Sequence, residues 1–214
     1  MIIPFVNVLA GLVAYDSQYQ ELKVIAKDKA KEYSEVCDEN TTSKEGRGKI
    51  IQDFRPESVK KLIDTKLTTD EDKALAACYG LQAPRRLDFQ YMIITEEDPS
   101  VLNNVNYNYL VIKGNEPSRF IYNNFKTYKS FGKQDFPVND YIVPYLSKYL
   151  KSAKLLPVRG RRYLFGTQDK LQESSNFGNK LRDVFMTLYG EEITVRWIRA
   201  SASTYINNYK KPKP

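Results

Sequence analysis

The stretch NYNYLVIKGNEPSRFIYNNFKTYKSFGKQDFPV, residues 106–138, decides the fold. Tyr, Phe, Ile and Val come in short runs broken by Asn, Gly and Pro, the composition of strands joined by turns. NYNYLVIK, RFIYNNFKTYK and KQDFPV read as strands, and LDFQYMIIT at 87–95 as another just upstream. GNEP and SFGK supply turn residues between neighbours. Strands joined this way pair antiparallel, so the expected centre is a small three-stranded antiparallel sheet.

Helices surround it. Residues 5–36 carry Leu9, Leu12, Val13, Leu22, Ile25 and Ala26 at helical spacing, and the polar DENTTSKEGRGK at 38–49 has the composition of an exposed linker. PESVKKLIDTK begins a short helix with Pro56 in its first turn. In TTDEDKALAACYGLQAP, Thr69 can cap, acids fill the first turn, Ala74, Leu75, Cys78 and Leu81 face inward, and Pro84 stops the helix. Beyond the strands, NDYIVPYLSKYLKSAKLL offers an Asn139 cap and an apolar side of Ile142, Leu146, Tyr149 and Leu150. SSNFGNKLRDVFMTLYG runs from a Ser cap to Gly190, and a further helix opens near Arg196. The fold class is therefore α+β and mostly helical, with residues 1–48 a helical piece and linker and residues 49–214 the main domain. Apart from the tail KKPKP there is no low-complexity segment and no internal repeat.

The 214 residues contain no histidine, which excludes Ser-His-Asp triads, Cys-His dyads, HExxH zinc sites and imidazole acid–base catalysis within this chain. Cys37 and Cys78 form no CxxC pair, and Cys78 sits among apolar neighbours as a core residue would. No metal and no cofactor are expected. No run approaches the roughly 18 apolar residues of a membrane span, and MIIPFVNVLAGLVAY at the start lacks the basic opening of a signal peptide. The expectation is an intracellular protein, not secreted and with no membrane partner. Charge divides unevenly: residues 1–100 hold 14 Lys and Arg against 18 Asp and Glu, residues 101–214 hold 19 against 8. A net of +11 in the second half suits a phosphate-rich partner, although a solvated basic surface has the same composition.

Basic features stand in an interpretable order: Arg85-Arg86 after a helix, Lys126 and Lys129 among the strands, Arg196 and Arg199 opening a late helix. In this order the chain, from about Thr68 to Tyr205, resembles the catalytic domain of the tyrosine recombinases, the phage-integrase family, whose fold is shared with type IB topoisomerases. Residues 1–40 resemble the end of the helical core-binding domain that precedes it. QAPRRLD is similar to the family's TGxRxxE, with Arg85 as the arginine, Arg86 as its one-residue alternative and Asp88 as the acid. KTYKSFGKQDFPV resembles the hairpin that carries the family's catalytic lysine. The spacing back from Pro137 favours Lys129 and the Lys-Thr dipeptide favours Lys126. TVRWIRASAST resembles the box HxLRHSxAT, aligning Arg199 with the arginine, Ser201 with the serine and Arg196 with the first histidine. An arginine there keeps a cation but is a poor proton carrier. Singly, each element also reads as surface decoration.

The resemblance implies a DNA breaking-rejoining core with double-stranded DNA as partner and self-association on it. Two guanidiniums clamp the non-bridging oxygens of a phosphodiester and a lysine protonates the departing 5′ oxygen. Asp88 and Ser201 would support, and no metal is required. The family's nucleophilic tyrosine lies several helical turns past the second arginine box, beyond a His/Trp box, and Tyr205 and Tyr209 come too soon for it. The expectation is a catalytic domain lacking its C-terminal end, its attacking tyrosine outside this chain. The alternatives are a non-catalytic DNA-binding accessory or regulatory protein of a virus or mobile element, and a basic interaction protein with no nucleic acid.

Overall fold

The computed structural model of the protein describes residues 51–158, 160–167, 170, 171 and 174–210. They belong to one compact unit, Lys49–Pro214. The helical reading of 5–36, the linker at 38–49, Cys37, the side chains of the Ser cap before residue 176 and the end of the basic tail lie outside the described residues.

Helix α1, Pro56–Lys66, has its proline in the first turn, where the missing N–H has no intrahelical partner to lose. In α2, Asp70–Gly80, the Thr69 hydroxyl oxygen accepts a hydrogen bond from the Asp72 N–H at 3.1 Å, and the hydroxyl donates to the Asp72 carboxylate at 2.7 Å. The expected inner face of α2 is too narrow. Every residue from Ala74 to Gly80 is buried, because α2 runs through the middle of the helical layer and touches helices on several sides. Small residues permit this. A Cβ built on Gly80 would lie 2.7 Å from Cγ1 of Val59 on α1, so the two backbones approach closer than an alanine would allow.

The sheet has five strands, β1 Met92–Thr95, β2 Asn108–Lys113, β3 Glu116–Tyr122, β4 Gln134–Pro137 and β5 Arg162–Tyr163, in spatial order β4-β3-β2-β1-β5. This corrects the expectation of three antiparallel strands. β1 and β2 run parallel, and the other pairs are antiparallel, so the sheet is mixed. The first half of LDFQYMIIT is not strand but a 3-10 turn, Asp88–Tyr91. β2 and β3 are joined through Gly114 and Asn115, both left-handed at φ 60° and 65°, the geometry whose twist suits a two-residue hairpin. Between β3 and β4 the residues expected to continue the strand form a single helical turn, α3, Tyr128–Phe131.

Helix α4, Val143–Ser152, lies against α2 and β3. It begins later than expected: Asn139 closes a turn through Oδ1, which accepts from the Tyr141 N–H at 2.9 Å, and the helix is entered at Ile142 through Pro144 instead. β6, Gly166–Thr167, and β7, Lys170–Leu171, form a separate two-stranded ribbon. Helices α5, Ser174–Tyr189, and α6, Val195–Lys210, complete the helical layer. The main core lies between helices and one sheet face, which contributes Met92, Ile94, Leu110, Ile112, Phe120 and Tyr122. Ile93, Tyr109, Val111 and Ile121 alternate to the opposite face and form a small second cluster with Leu102. Cys78 is fully buried and free.

Candidate functional site

One rung of the sheet organises the site. Met92 is matched in register with Asn108, Asn108 with Tyr122, and Tyr122 with Gln134, at the end of the strands remote from the Gly114 turn. Arg85, in the loop after α2, lies across this rung. Its guanidinium stands 3.9 Å from the centre of the Tyr122 ring and 5.4 Å from that of Phe125. Its Nη2 donates to Gln134 Oε1 at 2.8 Å, and its Nε is 3.4 Å from a carboxylate oxygen of Asp88. That last approach is an ion pair rather than a hydrogen bond, since the buried Nε has no hydrogen-bond partner. An aromatic bed, an amide and a carboxylate therefore hold one guanidinium plane in place before any ligand arrives.

Arg86 points elsewhere from the same turn. The buried Tyr79 of α2 donates its hydroxyl proton to the Arg86 carbonyl at 2.6 Å, which fixes the backbone while the Arg86 side chain remains exposed. Burial pushes the Tyr79 and Tyr122 phenols well above the usual range, so both stay neutral rings beneath the arginines.

A small cleft of about 130 Å³ opens beside this turn. Pro84, Arg85, Arg86 and Asp88 line it from one segment, Phe125, Lys126 and Thr127 from the β3–β4 connection, and Arg199 from α6. Lys126 and Arg199 are exposed. Among the described residues no carboxylate forms an ion pair with Arg86, Lys126 or Arg199. The cleft residues thus carry four cations against one acid. Burial raises the Asp88 carboxyl above the usual carboxylate range, in opposition to Arg85, Arg86 and Arg199, which pull it down. Such a place suits an anion that brings its own charge.

Lys129, Arg196, Ser201 and Tyr205 stand apart from this cleft. Lys129 is exposed on α3 and Arg196 is exposed in the first turn of α6, its guanidinium 5.8 Å from the Trp197 ring, and neither lines the cleft. Ser201 is buried and occupied: its hydroxyl accepts from the Ile51 N–H and donates to the Trp197 carbonyl, both at 2.8 Å. Two positions on a helix turn a side chain by about 200°, so Arg199 and Ser201 cannot share a face. Tyr205 lies with Ile51, Gln52, Asp53, Arg55, Ser201 and Thr204 around a different hollow. The Tyr209 side chain lies outside the described residues.

Sequence motifs do not single out Tyr122 and Gln134, whose part follows from cross-strand register alone. Among the described residues no group of three or more His, Cys, Asp or Glu could hold a metal ion, and no helix is long and apolar enough to cross a membrane. Comparison with family models, curated proteins and solved structures gives no match.

Proposed function

We propose that this protein binds double-stranded DNA by gripping one backbone phosphodiester in the Arg85–Lys126–Arg199 cleft, and that the domain is a strand-breaking and rejoining core of the tyrosine-recombinase type. The observation that carries the reading is the meeting of Arg85, Arg86, Lys126 and Arg199, from three distant segments, around a single cleft with only Asp88 as counter-charge. A phosphodiester in that position would receive Arg85 and Arg199 on its non-bridging oxygens, where charge grows in the transition state of transfer. Lys126 is the proton donor to the departing 5′ oxygen in this reading, in preference to Lys129, which does not line the cleft. Asp88 acts by holding Arg85. The protein then works inside a cell, assembling with further copies on its DNA.

One observation favours a second reading. Among the described residues no tyrosine lines the cleft, and Tyr205 opens into another hollow. A DNA-binding accessory or regulatory protein of a virus or mobile element would need only the grip.

Fluorescence anisotropy on a labelled duplex tests the grip, and binding that is absent at low salt or flat across a salt titration overturns both readings. A nicked suicide substrate on a denaturing gel separates them. Residues 1–214 are expected to bind it without a 3′-phosphotyrosyl adduct. If the reading frame continues to a tyrosine beyond the second arginine box, the longer chain should form the adduct, and should lose it on Arg85→Ala or Arg199→Ala. Silence there selects the accessory protein.

A further inference from the structure

We infer that Asn108 is a positioning residue of the cleft: its buried side-chain amide sets the spacing between the Arg85–Asp88 segment and the connection that carries Lys126. The inference rests on the reading that the cleft holds a phosphodiester.

Asn108 is the first residue of β2 and is fully buried. Alternation puts it on the face of Leu110 and Ile112, against the main core, where an amide is out of place by polarity. An amide buried without partners loses the hydrogen bonds it made to water, so its presence has to be answered by hydrogen bonds within the protein. Four are made. Nδ2 donates to the Asp88 carbonyl at 2.7 Å and to the Asn124 carbonyl at 3.0 Å. Oδ1 accepts from the N–H groups of Asn123 at 2.9 Å and Asn124 at 2.7 Å. These fill the two donor and two acceptor positions that an amide has.

The partners give the amide its meaning. Asp88 is the acid paired with Arg85, and Asn124 lies two residues before Lys126. One side chain therefore ties the backbone of the arginine segment to the root of the lysine-bearing connection. Two neighbours brace that root from the other side: Asn123 Nδ2 donates to the carbonyls of Leu102 and Asn104, and Asn124 Nδ2 to that of Asn106. The same rung holds Tyr122 and Gln134, which seat the Arg85 guanidinium. Replacing Asn108 by an apolar residue leaves two N–H groups and two carbonyls without this partner, and an aspartate keeps the acceptor while losing both donors.

A merely structural amide would lower stability and leave the electrostatics of binding alone. A positioning amide acts through Lys126, so its effect disappears when Lys126 is already gone. The test measures duplex-DNA affinity across a salt titration for wild type, Lys126→Ala, Asn108→Ala and the double variant. Expected are a salt slope smaller by about 0.9 in each single variant and a double variant no weaker than Lys126→Ala. An unchanged slope in Asn108→Ala, or losses that add in the double variant, overturn the inference while the grip on DNA stands. If Lys126→Ala itself changes nothing, the reading of the cleft has failed instead.

Should Asn108→Ala not fold, amide hydrogen exchange on the wild-type protein decides. The N–H groups of Asn123 and Asn124 should exchange at least about tenfold more slowly than those of Lys126 and Thr127 in the same connection. Equal rates would mean that the amide does not hold the connection.

Discussion

Removing the three uncompensated cations of the cleft should flatten the salt dependence of DNA binding by a calculable amount. Arg85 is offset by Asp88, leaving Arg86, Lys126 and Arg199 exposed and without carboxylate partners among the described residues. If the three neutralise the gripped phosphodiester and the phosphates on either side of it along the strand, one each, together they contribute about −2.7 to the slope of log affinity against log salt, at roughly 0.9 per contact. Between 50 and 200 mM salt that amounts to about 40-fold in affinity for the three, and about 3.5-fold for one. The triple variant Arg86→Ala, Lys126→Ala, Arg199→Ala should lose that salt-sensitive part. Lys113→Ala is the control, because Lys113 is exposed at the far end of β2, about 17 Å of strand from Asn108. Anisotropy with one duplex at four or five salt concentrations gives both slopes. A triple variant with the wild-type slope, or a Lys113 variant that loses as much, would refute the assignment of phosphate contact to this cleft.

Three further outcomes follow from the same packing. Gly80→Ala should destabilise by about 1–3 kcal/mol despite its better helix propensity, since the new Cβ meets the stiff Val59 side chain at 2.7 Å; urea unfolding measures it, and a stabilised variant would contradict the close approach of α1 and α2. Ser201→Ala should cost about 1–3 kcal/mol, because it leaves the Ile51 N–H without its acceptor, and should leave the salt slope of DNA binding unchanged. Asp88 gives a pH dependence of definite sign. Its carboxyl is raised in the folded protein by burial, so the unfolded chain ionises first as pH rises through the window from the ordinary carboxylate range to the raised value. Folding stability is therefore lost across that window, and Asp88→Asn, which has no such loss, should gain on wild type as pH rises. A gap that moves the other way would mean that the arginines outweigh burial.

How much was legible beforehand differs by element. The Thr69 cap and the start of α2, the Pro56 start of α1, and the Gly114-Asn115 turn are set by groups within a few residues of one another, and the sequence alone determined them. The order of the basic features was equally plain. Local signals do not carry strand direction: LDFQYMIIT looks like one more antiparallel strand, yet its second half pairs parallel with β2, and its first half turns so that the Asp88 carbonyl meets the Asn108 amide. A choice between Lys126 and Lys129 could not be made from spacing, because a one-turn helix in the connection sends the two lysines to different surroundings. Asn108 did leave a trace, a polar residue on the core-facing alternation of NYLVI, but what it binds was invisible until β1, β2 and β3 lay side by side. Ser201 follows Arg199 by two residues in the motif and lies on another side of α6 in space. The sequence by itself thus determined the starts of α1 and α2, the Gly114-Asn115 turn and where the cations stand along the chain, because these depend on nearest neighbours. Only the tertiary structure decided which cations meet, because convergence depends on strand register and helix rotation, quantities that residues tens of positions apart settle between them.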